Sequence, residues 1–214
     1  MAKPTAKQQL VKKAWMAILA PKLFGEGFIG ETFIAEPETA LGRLVTVSMT
    51  TLTNDPSQQH INLSFKIAGK TKDALTTELI GYRISPSSTK RFVRRARSKI
   101  DDSFSAVTSD GKKLRIKPMI VTRGKAQGGT RAALQKATRQ FFILHLSKMT
   151  LDQFWQDVLG HTVQKALSDS LRKLYPLATC ELRWIAFEGE GVPPEAPKEE
   201  PKVIEEPKEA EAAQ

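Results

Sequence analysis

The sequence predicts an α+β protein, and three observations carry that reading. Two regions, 44–84 and 104–123, alternate apolar and polar residues with the period of two that marks strands. The region 130–174 repeats apolar residues at helical spacing instead. A last alternating run, Cys180 to Phe187, closes the body before the composition turns to Pro, Glu, Lys and Ala. A chain of 214 residues makes one large domain or two small ones. Its hydrophobic share of 40% and charged share of 26% suit a folded soluble body.

At the start, Lys3, Lys7, Lys12, Lys13 and Lys22 bracket Trp15, Ile18, Leu19 and Phe24. Pro4 and Pro21 confine any helix to the residues between them. A free basic arm up to about Val11 is expected, with Trp15 as a packing anchor. Gly25 to Glu38 reads as loop, punctuated by Gly25, Gly27, Gly30 and Pro37. Leu44 to Met49 alternates as a strand, and Asn54-Asp55-Pro56-Ser57 is a turn. From His60 to Ile67 the alternation is clean, with Ile61, Leu63, Phe65 and Ile67 on one face. Gly69 to Asp73 turns the chain into a third strand, Ala74 to Ile84.

Ser85 to Ile100 is predicted as a helix. Lys90, Arg91, Arg94, Arg95, Arg97 and Lys99 make six of its ten residues from 90 to 99 cationic. At about 100° per residue, Phe92, Val93, Ala96 and Ile100 share one side and Lys90, Arg91 and Arg94 the other. After Phe104 to Ser109, Asp110-Gly111 signals a hairpin. The returning strand, Lys113 to Arg123, sets Lys113, Arg115 and Lys117 against Leu114 and Ile116, and Pro118 marks an edge or a bulge. Gly124 to Gly129 is a loop carrying Lys125. Thr130 to about Lys148 is helical, with Arg131, Lys136 and Arg139, although Phe141 to Leu146 also fits a strand. Thr150-Leu151-Asp152-Gln153 fits a capping box, Gly160 divides the apolar stripe after it into two helices, and Pro176 ends the second. Three regions result: a basic arm and anchor (1–24), a globular body (25–187), and an acidic tail (188–214) too poor in apolar residues to fold.

Charge narrows the function. The net charge is +10, yet residues 188–214 hold nine Glu and three Lys, so the rest of the chain carries 30 basic against 14 acidic residues. Cations recur in the arm, at 90–99, at 113–117 and at 131–139. A charge run is ordinarily a solvated face, but this accumulation of like charge fits a polyanion partner: RNA, DNA or an anionic membrane. Few of these basic segments carry aromatics suited to stacking single-stranded bases, so backbone and shape reading of folded RNA fits best.

Other chemistries find little support. Gly69-Lys70-Thr71 lacks the earlier glycine of a phosphate loop, since Ser64 stands there, and it joins two strands. His60, His145 and His161 lack ligand spacing and read as satisfied structural histidines. With one cysteine, Cys180, neither a disulfide nor a closed zinc site is expected, and a reducing intracellular compartment is the natural reading. No cofactor or metal is expected. Asp101-Asp102, with Asp110, is the best candidate for a metal-dependent RNA-processing site, and reads more simply as charge partners or caps of the arginine helix. No apolar run approaches the roughly 20 residues of a membrane span, and no secretory signal is evident.

An ordered series of segments resembles the archaeal and eukaryotic small-subunit ribosomal proteins of the S3Ae family. It begins with Lys12-Lys13-Ala14-Trp15 to Phe24, Ile29 to Thr32 and Gly42-Arg43 to Leu52. It continues with Asp55, His60 to Ile67, Arg91 to Asp101, and Val107-Thr108 with Asp110-Gly111. It ends with Gln135-Lys136 and Arg139, then Tyr175-Pro176-Leu177. Ala14 and Ala96 stand where the family often has a basic residue. The length and short acidic tail look archaeal. The resemblance implies a β-barrel-like core with packed helices and a non-enzymatic, cytoplasmic, ribosome-bound constituent of the small subunit. Its partners would be rRNA on the platform, neighbouring ribosomal proteins and mRNA near its exit. The expected rRNA contacts are Lys12, Lys13, Lys22, Lys90, Arg91, Arg94, Arg95, Arg97, Lys99, Lys113, Arg115, Lys117, Arg123, Lys125, Arg131, Lys136 and Arg139. A basic adaptor for proteins or membranes is the remaining alternative.

Overall fold

One branched sheet of nine strands forms the frame of the protein, seen in a computed structural model that describes residues 13–71 and 74–190. The strands are β1 (Ala14–Leu19), β2 (Phe28–Ile34), β3 (Leu44–Ser48), β4 (Ile61–Lys70) and β5 (Ala74–Ile84). After them come β6 (Lys99–Asp101), β7 (Phe104–Val107), β8 (Lys112–Thr122) and β9 (Leu177–Glu190). Two short helices, α1 (Met49–Thr53) and α2 (Pro86–Phe92), interrupt the strands. Three longer ones, α3 (Gly128–Leu146), α4 (Leu151–Leu159) and α5 (Thr162–Arg172), fill the gap between β8 and β9.

Two long strands organise the sheet. β4 runs antiparallel along one edge of β5. The other edge of β5 is divided, with β1 parallel to Ala74–Thr76 and β9 antiparallel to Gly81–Arg83. β8 pairs along its length with β9 and offers its second edge to β7 and then β6. Because β5 splits its edge between two partners, the sheet forks instead of curling onto itself. It is an open sheet, which corrects the barrel-like expectation.

The helices cover one face. Leu63 and Phe65 of β4, Leu114 and Ile116 of β8, and Leu182 and Ile185 of β9 meet Phe142, Phe154, Trp155 and Leu167 in one buried cluster. Each such side chain contributes roughly 1.5–3 kcal/mol when fully buried. A smaller cluster of Ile18, Ile34, Ala40, Ile67 and Leu75 lies where β1 and β2 meet β4 and β5. The capping box is present: Gln153 N–H donates to Thr150 Oγ1, and Thr150 N–H donates to Gln153 Oε1 at 3.2 Å. Gly160 closes α4, and His161 takes a left-handed φ of 58° to redirect the chain into α5.

The structure changes several expectations. Residues 14–19 form a strand, not a helix, and Gly25 to Glu38 contains β2. Trp15 is not buried as an anchor; it is 67% exposed and tilts against Phe33, its cross-strand neighbour, at 5.0 Å. Phe141 to Leu146 is helical. Glu188 to Glu190 extend β9, so the strand runs past the expected start of the tail. The tail from 191 onward, and the arm up to Lys12, lie outside the described residues.

The largest correction concerns the arginine segment. α2 stops at Phe92, Val93 is extended, and Ala96 adopts a left-handed φ of 65° within a turn closed by Arg97 N–H to Arg94 O at 3.3 Å. Continuing the helix would stack Lys90 on Arg94 and Arg91 on Arg95, like charges four residues apart. Ile100 is instead buried in β6, opposite Ile120. The apolar stripe therefore does not form a docking face: Val93 and Ala96 are exposed.

Candidate nucleic-acid interface

The sheet face turned away from the long helices carries the charge. Pairing register places Asn62, Arg83, Trp184 and Lys117 in one row across β4, β5, β9 and β8. The next row is Ser64, Gly81, Ala186 and Arg115. Small side chains thus separate the Arg115 end from the Arg83 end. A bulge completes the arrangement: Lys117 pairs with Trp184 and Pro118 with Leu182, leaving Arg183 as the extra residue on β9. A bulge breaks strict alternation, so the consecutive residues Arg183 and Trp184 can border one hollow. Pro118 lies at this bulge, on an inner strand rather than an edge.

Where β5 runs into α2 these residues line a groove of about 420 Å³. Arg83, Lys90, Lys99, Lys117 and Arg183 border it, together with Trp184. The Lys117 ammonium lies 4.1 Å from the centre of a Trp184 ring, a cation–π contact that holds the lysine along the groove wall. Asp101 is the carboxylate that reaches these cations, bonding Lys99 at 2.5 Å and approaching Arg183 at 4.0 Å. Arg83, Lys90 and Lys117 have no carboxylate partner among the described residues.

A second basic surface is the turn holding Arg94, Arg95 and Arg97. Ser98 laces its backbone to the loop after β8: Ser98 N–H donates to Thr122 Oγ1, and Ala126 N–H donates to Ser98 Oγ, each at 3.0 Å. Arg123 and Lys125 lie in that loop and are exposed. Five cations therefore come from two backbone segments that are tied together. Arg131 and Lys136 are exposed on α3, and Lys13 and Lys22 are exposed around β1.

Other expected contacts are already engaged within the protein. Arg115 bonds Glu188, Lys113 lies 3.6 Å from the same carboxylate, and Ser105 Oγ donates to it at 3.0 Å. The Arg115 bond, aided by Ser105 and the two positive charges, holds the Glu188 carboxyl below its usual range. Arg139 grips Asp102 with two nitrogens, each 2.6 Å from a carboxylate oxygen. That pairing pulls the Asp102 carboxyl down, against the opposing effect of burial. Asp101 is thus a charge partner of Lys99, from the segment expected to be the arginine helix, and of Arg183, while Asp102 pairs with Arg139; neither caps a helix, because α2 ends at Phe92. Asp110 instead accepts Leu151 N–H at 2.8 Å, at the start of α4. The three aspartates are held by different partners, and the described residues contain no His, Cys, Asp and Glu group able to hold a metal ion. His145 is not satisfied as expected: its Nδ1 is buried without a hydrogen-bond partner, and its ring stacks on Phe141.

Sequence reasoning missed Arg83, Arg183 and Trp184. Arg83 looks like any outward residue of an alternating strand. Arg183 and Trp184 are adjacent, and only the bulge allows both to border one groove. Among the described residues no helix is long and apolar enough to cross a membrane.

Comparison with known proteins adds a second line of information. The profile of the ribosomal S3Ae family matches residues 2–188. Small ribosomal subunit protein eS1 of Saccharolobus islandicus (strain L.S.2.15 / Lassen #1) is 31% identical over 178 residues, covering 83% of this chain and 86% of the relative. The protein of the same description from Saccharolobus solfataricus is 30% identical over 176 residues, covering 82% and 85%. That of Methanoregula boonei is 31% identical over 170 residues, covering 79% and 85%.

Proposed function

This chain belongs to the ribosomal S3Ae family, and from that premise we propose that it is a structural constituent of the small ribosomal subunit, serving translation by binding rRNA. The observation that carries the RNA-binding part is the groove, where five cations surround Trp184 with one carboxylate among them. Isolated like charges at this density repel one another, and a phosphate backbone relieves the repulsion. Arg83 and Arg183 supply flat guanidinium forks that match phosphate oxygens two at a time. Lys90, Lys99 and Lys117 act as point charges. The Arg94–Arg97 turn and the Arg123–Lys125 loop extend the contact. The assignment includes a place on the platform near the mRNA exit, beside other ribosomal proteins and in reach of mRNA, and a ribosome-bound life in the cytoplasm.

Sedimentation of cell lysate tests this. The protein is expected to travel with the small subunit, to remain through a low-salt wash and to leave at high salt, because phosphate contacts weaken steeply as counterions compete. Association that survives both nuclease and high salt would contradict it and favour a protein or membrane adaptor. Metal-dependent RNA cleavage lost in Asp101→Asn would favour the processing enzyme.

A further inference from the structure

α2 has two flanks, and the groove occupies only one. Pro86, Thr89 and Lys90 border the groove, whereas Ser88, Arg91 and Phe92 border a second cleft of about 510 Å³ on the opposite flank. Its far wall is the turn before β4, with Pro56 and His60. Backbone pairing holds the two walls together, since Ser85 N–H donates to His60 O at 2.8 Å. We propose that this cleft receives a single unpaired nucleotide of the RNA whose backbone lies in the groove.

Four observations point to a nucleotide. The cleft volume is in the range of pockets that take small organic ligands. Its lining contains no carboxylate, one guanidinium and several hydroxyls, a donor set suited to a phosphate and a ribose. Phe92 and the His60 ring give it π-faces on which any base can stack. Ser88 is only 9% exposed and borders the cleft, so its hydroxyl belongs to the polar lining. His60 adds direction: its Nδ1 lies 3.1 Å from Ser57 O, which ties the ring to the turn that forms the far wall of the cleft. Lys90 and Arg91 are consecutive yet serve opposite flanks. A strand crossing α2 can therefore place a phosphate at each side, with the intervening base in the cleft.

The inference rests on the groove reading, and two RNA hairpins separate them. One is fully paired; the other carries a single unpaired uridine, substituted with 4-thiouridine for crosslinking. The protein is expected to bind the bulged hairpin about tenfold more tightly and to crosslink at Phe92 or His60. Phe92→Ala or Arg91→Gln should abolish that preference, and Phe92→Ala should leave affinity for the paired hairpin within about twofold. Arg83→Gln with Arg183→Gln should weaken both hairpins alike. Equal affinity of the unaltered protein for the two hairpins, or a preference that survives both cleft variants, would overturn the inference and leave the groove standing. Failure to bind either hairpin would overturn both. Should Phe92→Ala fold poorly, Arg91→Gln, an exposed position, carries the test alone.

Discussion

Lys113, Arg115 and Lys117 follow one another on the same face of β8, and in the sequence nothing distinguishes them. In the structure they have opposite fates. At one end Glu188 of β9 takes both Arg115 and Lys113. At the other Lys117 lies against Trp184, among Arg83, Lys90 and Arg183. Glu188 explains much of the difference. Glu188 is exposed, charged and held below its usual range by Arg115. Glu181, earlier on the same strand, is largely buried, one of its oxygens has no partner, and burial pushes its carboxyl up to about 7. One end of the face is therefore neutralised from within, and the other, where Asp101 is the carboxylate in reach, keeps an excess of positive charge.

That contrast can be broken in graded steps. The strongest is charge reversal at the open end: Arg83→Glu with Arg183→Glu should cut RNA affinity more than about a hundredfold and prevent incorporation into the subunit, with an unchanged near-ultraviolet circular dichroism spectrum as control. Next is the Arg139–Asp102 clamp, which joins α3 to the segment between β6 and β7. Asp102→Asn should lower stability by about 2 kcal/mol in urea unfolding and leave the groove's RNA binding within about twofold. In the unaltered protein the clamp's contribution is full above the normal carboxylate range, near pH 4. It fades as pH falls toward the depressed Asp102 value, because the unfolded chain takes up the proton first.

A gain of function would sharpen the comparison more than a loss. Glu188→Gln frees Arg115 and Lys113, so RNA affinity should rise about tenfold and its salt dependence should steepen by about one to two phosphates. The smallest effect belongs to Glu181. With its folded value raised to about 7 against 4.5 in the unfolded chain, the folded state holds the extra proton in that window, so stability falls as pH rises through it. Glu181→Gln should then stabilise the protein at pH 8 and change it by almost nothing at pH 4, measured as the shift in thermal midpoint.

Much of the frame was legible because its signals are local. β4 from Ile61 to Ile67 and β8 up to Lys117 alternate cleanly in the sequence, and the capping box and Gly160 mark α4 and α5 from within. β1 and β2 were hidden because glycines break the pattern and Trp15 points outward; they exist through mutual pairing. The arginine segment had a true helical period, but a period does not register repulsion between cations one turn apart or the competing burial of Ile100. Basic character was readable from composition, whereas the availability of each cation was not. Arg139 and Arg115 are taken by carboxylates 37 and 73 residues away. Arg83 and Lys117 acquire their setting from a bulge in a third strand.

One face of β8 and β9 has a neutralised end and an open end, and we propose that RNA uses the open one. The direct measurement is the salt dependence of affinity for a fully paired RNA hairpin in three proteins: unaltered, Arg83→Gln/Lys117→Gln/Arg183→Gln, and Lys113→Gln/Arg115→Gln. The groove variant should lose about three from the magnitude of the log–log slope, and the paired-end variant less than about one. Equal losses per charge removed at the two ends would contradict the account.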